Sequence, residues 1–231
     1  MPDEIRETQP PKGYKHTQKF GGTLTSEKEG KIIALANRPF KYIDEQLCNL
    51  ISTGIDTKLK GAVDQKTNIL DLGSGTDSLA CKQVAEKYGK SVNVVGLDFF
   101  PQSAGKDNIS IVQANMAELP FKDESFDFIF SYQALMFLEH DNDEAAVEEI
   151  HRVLKPGGYA VLDWDSVGYM NGDIKKNLTD LASQLGLIWR STILEREDRR
   201  SQMVHVLFKP PVDQEFLGKF NEVHERFGIK E

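Results

Sequence analysis

Asn68-Ile-Leu-Asp-Leu-Gly-Ser-Gly-Thr-Asp-Ser78 is a short apolar run that stops on two glycines and leads into Ala80, Val84 and Tyr88, spaced as one helix face. A strand that turns through glycines into a helix is the opening unit of a parallel α/β sheet. The pattern then repeats. Val92–Leu97, Ile109–Val112, Phe126–Phe130 and Tyr159–Leu162 are compact apolar runs. Helical spacing lies between them at Ala146, Val147, Ile150 and Leu154, stopped by Lys155-Pro-Gly-Gly158, and after them at Ile174, Leu178, Leu181 and Leu185. The rhythm changes at the end. Leu187–Leu194 and Met203–Phe208 are two strands with no room for a helix between them, so they should pair antiparallel. The expected fold is α/β: a Rossmann-like, seven-stranded, mostly parallel sheet with a C-terminal antiparallel hairpin and helices on both faces.

Ligands of such sheets bind beyond the carboxyl ends of the strands. Gly73 and Gly75 let a ligand approach the backbone, and the helix that follows offers unpaired N–H groups. Asp98, after the second strand, can accept two hydrogen bonds from a ribose diol, and Phe99 beside it can cover an adenine face. After the third strand, Asn115 carries both a donor and an acceptor for an adenine edge, and Met116 can pack on the ring. Each feature has a plain structural reading as a turn, a cap or packing. Together they point to a nucleoside-containing ligand.

The motifs Asp71-Leu-Gly-Ser-Gly75, Gly96-Leu-Asp98, Asn115-Met-Ala-Glu-Leu-Pro-Phe121, Asp123-Glu-Ser-Phe-Asp-Phe-Ile-Phe130 and His151-Arg-Val-Leu-Lys-Pro-Gly-Gly158 occur in order at near-family spacing. They resemble a class I S-adenosylmethionine-dependent methyltransferase over roughly residues 66–209, of the subgroup acting largely on small molecules. The resemblance implies S-adenosylmethionine as cofactor, S-adenosylhomocysteine as product and a small-molecule acceptor. It implies that Asp71, Gly73, Ser74 and Gly75 flank the amino acid part of the cofactor. Asp98 would hold the ribose hydroxyls, Phe99 and Met116 would pack on the adenine, and Asn115 stands where the family usually has an aspartate. Ser131 and Tyr132 would line the floor near the sulfonium. Methyl transfer from a sulfonium needs mainly proximity and alignment. A general base helps only where the acceptor loses a proton. The base candidates are His140, Asp163 and Asp165, each with a structural or solvent-facing alternative.

Two features depart from the family. Asp77 occupies the position of a third glycine. It either caps the helix beginning at Ser78, pointing away from the cofactor, or pairs with the cofactor's amino group, or weakens cofactor binding by its charge and bulk. Only Phe99–Asn108 joins the second strand to the third, too short for the usual helix, so one flank of the sheet should be thinly covered. The N-terminal segment, the tail helix or a second copy in a homodimer are candidates to cover it. These departures motivate a rival reading as a catalytically inactive binding or regulatory subunit. A nicotinamide-dependent oxidoreductase is disfavoured by the final hairpin and the Leu119-Pro-Phe121 segment.

Residues 1–26, rich in proline and glycine, read as an extended arm, and residues 27–66 as a helical cap or lid. Residues 67–209 form the cofactor-binding domain and 210–231 a terminal helix. Tyr14, Phe20, Phe40 and Tyr42 are candidate acceptor-pocket walls. The 231 residues are 39% hydrophobic, enough for a core, and the net charge is −8. The body is acidic, with 17 basic and 27 acidic side chains in residues 67–231, which disfavours nucleic acid. No apolar run reaches the length of a membrane span. Two cysteines exclude a disulfide scaffold, and no cluster has metal-ligand spacing. The polar start Met1-Pro-Asp-Glu-Ile-Arg-Glu7 lacks a secretory h-region, so a cytoplasmic setting is expected.

Overall fold

The computed structural model describes the backbone outside residues 1–5, 8–14, 21–22, 29–30, 35, 63–64, 102, 139–141, 167–171, 196–200 and 228–231. Side chains are described from Asn37 onward, outside those gaps and outside 165–174 and 195–201. Seven strands build the central sheet: β6 (Thr67–Leu72), β7 (Val92–Asp98), β8 (Ile109–Gln113), β9 (Phe126–Tyr132), β10 (Leu154–Ser166), β11 (Ile188–Glu195) and β12 (Ser201–Phe208). Their order is β11-β12-β10-β9-β6-β7-β8. Strands β8, β7, β6, β9 and β10 run parallel, and β12 pairs antiparallel with both β10 and β11. This is the mostly parallel sheet with an antiparallel hairpin that the sequence predicts.

Both faces of the sheet are buried, so its strands are apolar on both sides. On one face Ile69, Val94, Phe128, Phe130, Val161 and Val206 pack against α1 (Phe40–Gln46), α2 (Leu50–Gly61), α3 (Leu79–Tyr88) and α6 (Gln214–Phe227). On the other, Leu70, Leu97, Ile129, Leu162, Trp164 and Leu207 pack against α4 (Asp143–Val153) and α5 (Gly172–Gln184). Alternate residues of one strand thus feed two cores.

The N-terminal region departs from expectation. Before α1 the described residues form five short strands: β1 (Arg6–Glu7), β2 (Lys15–Phe20), β3 (Thr23–Lys28), β4 (Lys31–Ala34) and β5 (Ala36–Asn37). β2, β3 and β4 form an antiparallel meander, and β1 pairs with β5. The expected helix from Glu27 therefore begins only at Phe40. The overlooked signal is local: Gly21-Gly22 and Glu29-Gly30 are two-residue links between runs containing Thr and Ile, the pattern of hairpins. Nor are α1 and α2 a lid. Leu47, Leu50, Ile51 and Ile55 are buried in the core beneath the sheet, and so is Phe40.

The short connection after β7 is as the sequence implies. Its described residues form bends and turns, and Ile109, Ile111 and Val112 of the edge strand β8 are only partly buried. The tail helix α6 does not cover this edge, because it packs on α2 and on β11 at the opposite end of the sheet.

Candidate functional site

The loop after β6 is shaped by three left-handed residues, Gly73 (φ 80°), Gly75 (φ 75°) and Ser78 (φ 48°). Glycine is required at 73 for a second reason. A Cβ there would lie 2.1 Å from the Ala134 Cβ, in the segment following β9. The loop's N–H groups are drawn to β7. Those of Gly73 and Ser74 donate to the Leu97 carbonyl at 2.8 and 3.0 Å, and that of Gly75 donates to Asp98 Oδ2 at 2.9 Å. The other Asp98 oxygen accepts from Phe100 N–H at 2.9 Å. Burial pushes the Asp98 carboxyl up, and these backbone N–H groups oppose the shift.

Asp71, the penultimate residue of β6, is buried, with the Cys81 thiol donating to its Oδ2 at 3.3 Å. Burial raises its pKa to about 7, the thiol hydrogen bond opposes this, and the nearby Asp98 charge adds to it. The Asp98 carboxylate, with a buried Asp71 carboxyl that a neighbouring cation would help to ionise, suits a cationic ligand group. Phe99, at 36% exposure the largest apolar group left open beside Asp98, meets Phe100 edge-on at 4.9 Å. Met116 approaches the loop from the β8 side, its Cε 3.9 Å from the position a Gly73 Cβ would take. Asn115 Oδ1 accepts from Ala117 N–H at 3.1 Å, and its Nδ2 donors carry no hydrogen bond among the described residues. Glycine loop, carboxylate, open aromatic and amide thus lie at the carboxyl ends of neighbouring strands β6, β7 and β8.

Other assignments change. Ser131 is fully buried, and its hydroxyl donates to the Leu72 carbonyl at 2.8 Å, pinning β9 to β6. It therefore offers nothing to a site floor. Tyr132 is 5% exposed and packs edge-on against Tyr42, with ring centroids 6.2 Å apart. Asp163, buried on β10, lies in register beside Tyr132. His140 lies outside the described residues, as does the side chain of Asp165, which sits on β10. Tyr14 and the Phe20 side chain are likewise outside them.

Asp77 does not cap a helix. α3 starts at Leu79, and its N-cap residue Ser78 makes no side-chain capping bond. Asp77 instead meets Asn37, from the segment before α1. Its N–H donates to Asn37 Oδ1 at 2.7 Å, and Asn37 Nδ2 donates to Asp77 Oδ2 at 3.2 Å and to Thr76 Oγ1 at 2.9 Å. The next residue, Arg38, donates from Nη2 to Gln133 Oε1 at 2.7 Å, with its Cζ 5.4 Å from the Tyr132 ring centroid. Asn37 and Arg38 are both buried. Their one signal was two polar residues entering an apolar helix, and their partners are 39 and 95 positions away.

Among the described residues there is no cluster able to hold a metal ion, and no helix is long and apolar enough to cross a membrane.

Residues 70–162 match the methyltransferase domain family. The chain is 28% identical over 165 residues to the ubiquinone/menaquinone biosynthesis C-methyltransferase of Brucella abortus, covering 63% of this chain and 60% of that protein. It is 30% identical over 118 residues to the sterol 24-C-methyltransferase of Pneumocystis carinii, covering 46% of this chain and 30% of that protein. The match thus spans less than two thirds of either relative. The fold is similar to that of a TehB-like SAM-dependent methyltransferase from Corynebacterium glutamicum, with TM-score 0.50 and 22% identity, covering 74% of this chain and 97% of that one.

Proposed function

We propose that this chain, which carries a class I methyltransferase domain, transfers the methyl group of S-adenosylmethionine to a small-molecule acceptor by in-line displacement. The observation that carries the reading is the convergence of the Gly73–Gly75 loop, Asp98, Phe99 and Asn115 at the carboxyl ends of β6, β7 and β8. Asp98 would accept from the ribose hydroxyls. Phe99 and Met116 would sandwich the adenine, with Asn115 Nδ2 donating to a ring nitrogen. Asp71, Gly73, Ser74 and Gly75 would surround the methionine end, where the two carboxylates favour its ammonium. The sulfonium supplies the electrophile when the cofactor is bound. The chain's part is to hold the acceptor in line and exclude water, which supports rate through alignment.

The acceptor would lie over β9 and β10, beside Tyr132, and Asp163, its neighbour in register, would be the candidate to take a proton where one must leave. The small-molecule class is supported by the named relatives and by the acidic body, which offers little to a phosphate backbone. Two free thiols fit a reducing, cytoplasmic setting. The half-buried Ile109, Ile111 and Val112 support a homodimer across the β8 edge, to be tested by sedimentation velocity.

A thermal-shift titration with S-adenosylmethionine, S-adenosylhomocysteine, NAD and NADP, confirmed by calorimetry, tests the cofactor. A ligand at a hundred times its Kd adds about 2.7 kcal/mol of stability, several degrees in melting temperature. A shift with the adenosyl compounds alone supports the proposal. A shift with NAD alone, or with none of the four, refutes it.

A further inference from the structure

Asp77 stands where the family resemblance implies a third glycine, in the loop expected to receive the cofactor's amino acid end. A glycine there could offer Asn37 only its N–H. Aspartate offers an N–H and a carboxylate, and the Asn37 amide meets both, donor to acceptor and acceptor to donor. The same Nδ2 also reaches Thr76, so one buried side chain holds two consecutive loop residues. Asn37 in turn ends β5, whose partner is the N-terminal strand β1, with Arg6 opposite Asn37. Arg38 continues across the strand ends to Gln133 beyond β9. The two residues therefore link the glycine loop, on the proposed cofactor site, to the segment after β9, on the proposed acceptor side.

We propose that Asn37 and Asp77 form a positioning clasp, which locks the glycine loop in its cofactor-receiving shape only when the N-terminal segment is docked, so that cofactor binding and docking of that segment favour each other. The replacement of glycine by aspartate then strengthens the clasp, because it adds a bond to a charged acceptor beside those at the residue 77 N–H and Thr76. The inference rests on the cofactor reading above. Neither residue is assigned contact with the cofactor. Both act through the loop backbone, whose N–H groups of Gly73, Ser74 and Gly75 are already committed to β7. Because coupling is reciprocal, a ligand that selects the ordered loop must protect the docked segment by the same factor.

The test uses the full chain with S-adenosylhomocysteine as the probe. Calorimetry measures affinity for the native protein, Asn37→Ala, Asn37→Asp, and the swapped pair Asn37→Asp with Asp77→Asn. The swap retains an acceptor for the residue 77 N–H and reverses the side-chain bond. Losing buried hydrogen bonds to a charged group should weaken binding about tenfold to a hundredfold in Asn37→Ala. Asn37→Asp, which sets two carboxylates together without changing size, should do the same and covers the case in which the alanine variant does not fold. The swap should return affinity to within about threefold of the native value, close to the ±0.5 kcal/mol typical of independent sites. Peptide-level hydrogen exchange over residues 31–38 gives the second readout. The probe should slow exchange there in the native chain and in the swap, and not in the single variants.

Native-like affinity in either folded single variant overturns the clasp. So does a swap that fails to rescue, or tighter binding by Asp77→Gly, which would make the aspartate a burden on the site. No binding by the native chain overturns the cofactor reading itself, and the clasp with it.

Discussion

Replacing Asp71 by asparagine should stabilise the protein, and increasingly so as pH rises. The carboxyl is fully buried, and its pKa is raised from 3.8 to about 7. Between those values the folded chain binds a proton that the unfolded chain has released. The wild type therefore loses stability as pH rises through this window, by about 1.4 kcal/mol per unit, and the loss is complete above pH 7. Across the full gap of roughly three units this amounts to about 4 kcal/mol. Asparagine keeps an oxygen to accept the Cys81 thiol and carries no charge. Urea unfolding of both proteins at pH 5 and pH 8 should show the advantage of Asp71→Asn growing by roughly 3 kcal/mol between the two. The same geometry makes ligand binding proton-linked. An ammonium placed beside Asp71 favours the carboxylate, so binding of S-adenosylhomocysteine at pH 6 should release close to one proton, measured by calorimetry in buffers of different ionisation enthalpy. An advantage that does not change with pH would refute the burial argument. Binding without proton release would remove Asp71 from the neighbourhood of the ligand's amino group.

Gly73→Ala should cost about 2–5 kcal/mol, because it combines a left-handed backbone with a Cβ 2.1 Å from that of Ala134. Adding Ala134→Gly should recover the steric part and leave about 1–2 kcal/mol, and an additive double variant in denaturant unfolding would contradict the contact. Asp98→Ala should lower calorimetric affinity for S-adenosylhomocysteine at least tenfold, in a protein that remains folded by circular dichroism. Unchanged affinity would end the ribose assignment. His205 is buried, and burial, aided by the Lys175 charge, lowers its pKa from 6.5 to about 3. Here the unfolded chain takes the proton first, so stability is lost as pH falls below 6.5. His205→Gln, which keeps an acceptor for Trp189 Nε1 and Ser191, should remove roughly 2 kcal/mol of that loss between pH 6.5 and 5. Parallel unfolding curves for the two proteins would count against it.

The sequence by itself determined the elements whose cause is local. Apolar runs ending in glycine or aspartate are strands at the carboxyl edge of a parallel sheet, and Leu187–Phe208 could only be a hairpin because no helix fits between its halves. The candidate residues Gly73, Gly75, Asp98, Phe99, Asn115 and Met116 could be placed at the strand ends because each lies within a few residues of one, so naming the strands located them in the fold. Where the signal was ambiguous, it misled. Ile32, Ile33, Leu35 and Ala36 satisfy helical spacing as well as they satisfy a short strand, and the Gly21-Gly22 and Glu29-Gly30 links decide for a meander. Tertiary structure alone decided which side chains are spent on the fold. The Ser131 hydroxyl is a sheet pin because β6 runs beside β9 with the Leu72 carbonyl 2.8 Å away. α1 and α2 are core rather than lid because their apolar faces meet a sheet built from residues that follow them. Asp77 looks like a defect in one dimension. In three it is half of a paired contact with a residue 40 positions earlier, since hydrogen bonds are set by distance in space and leave no periodicity in the chain.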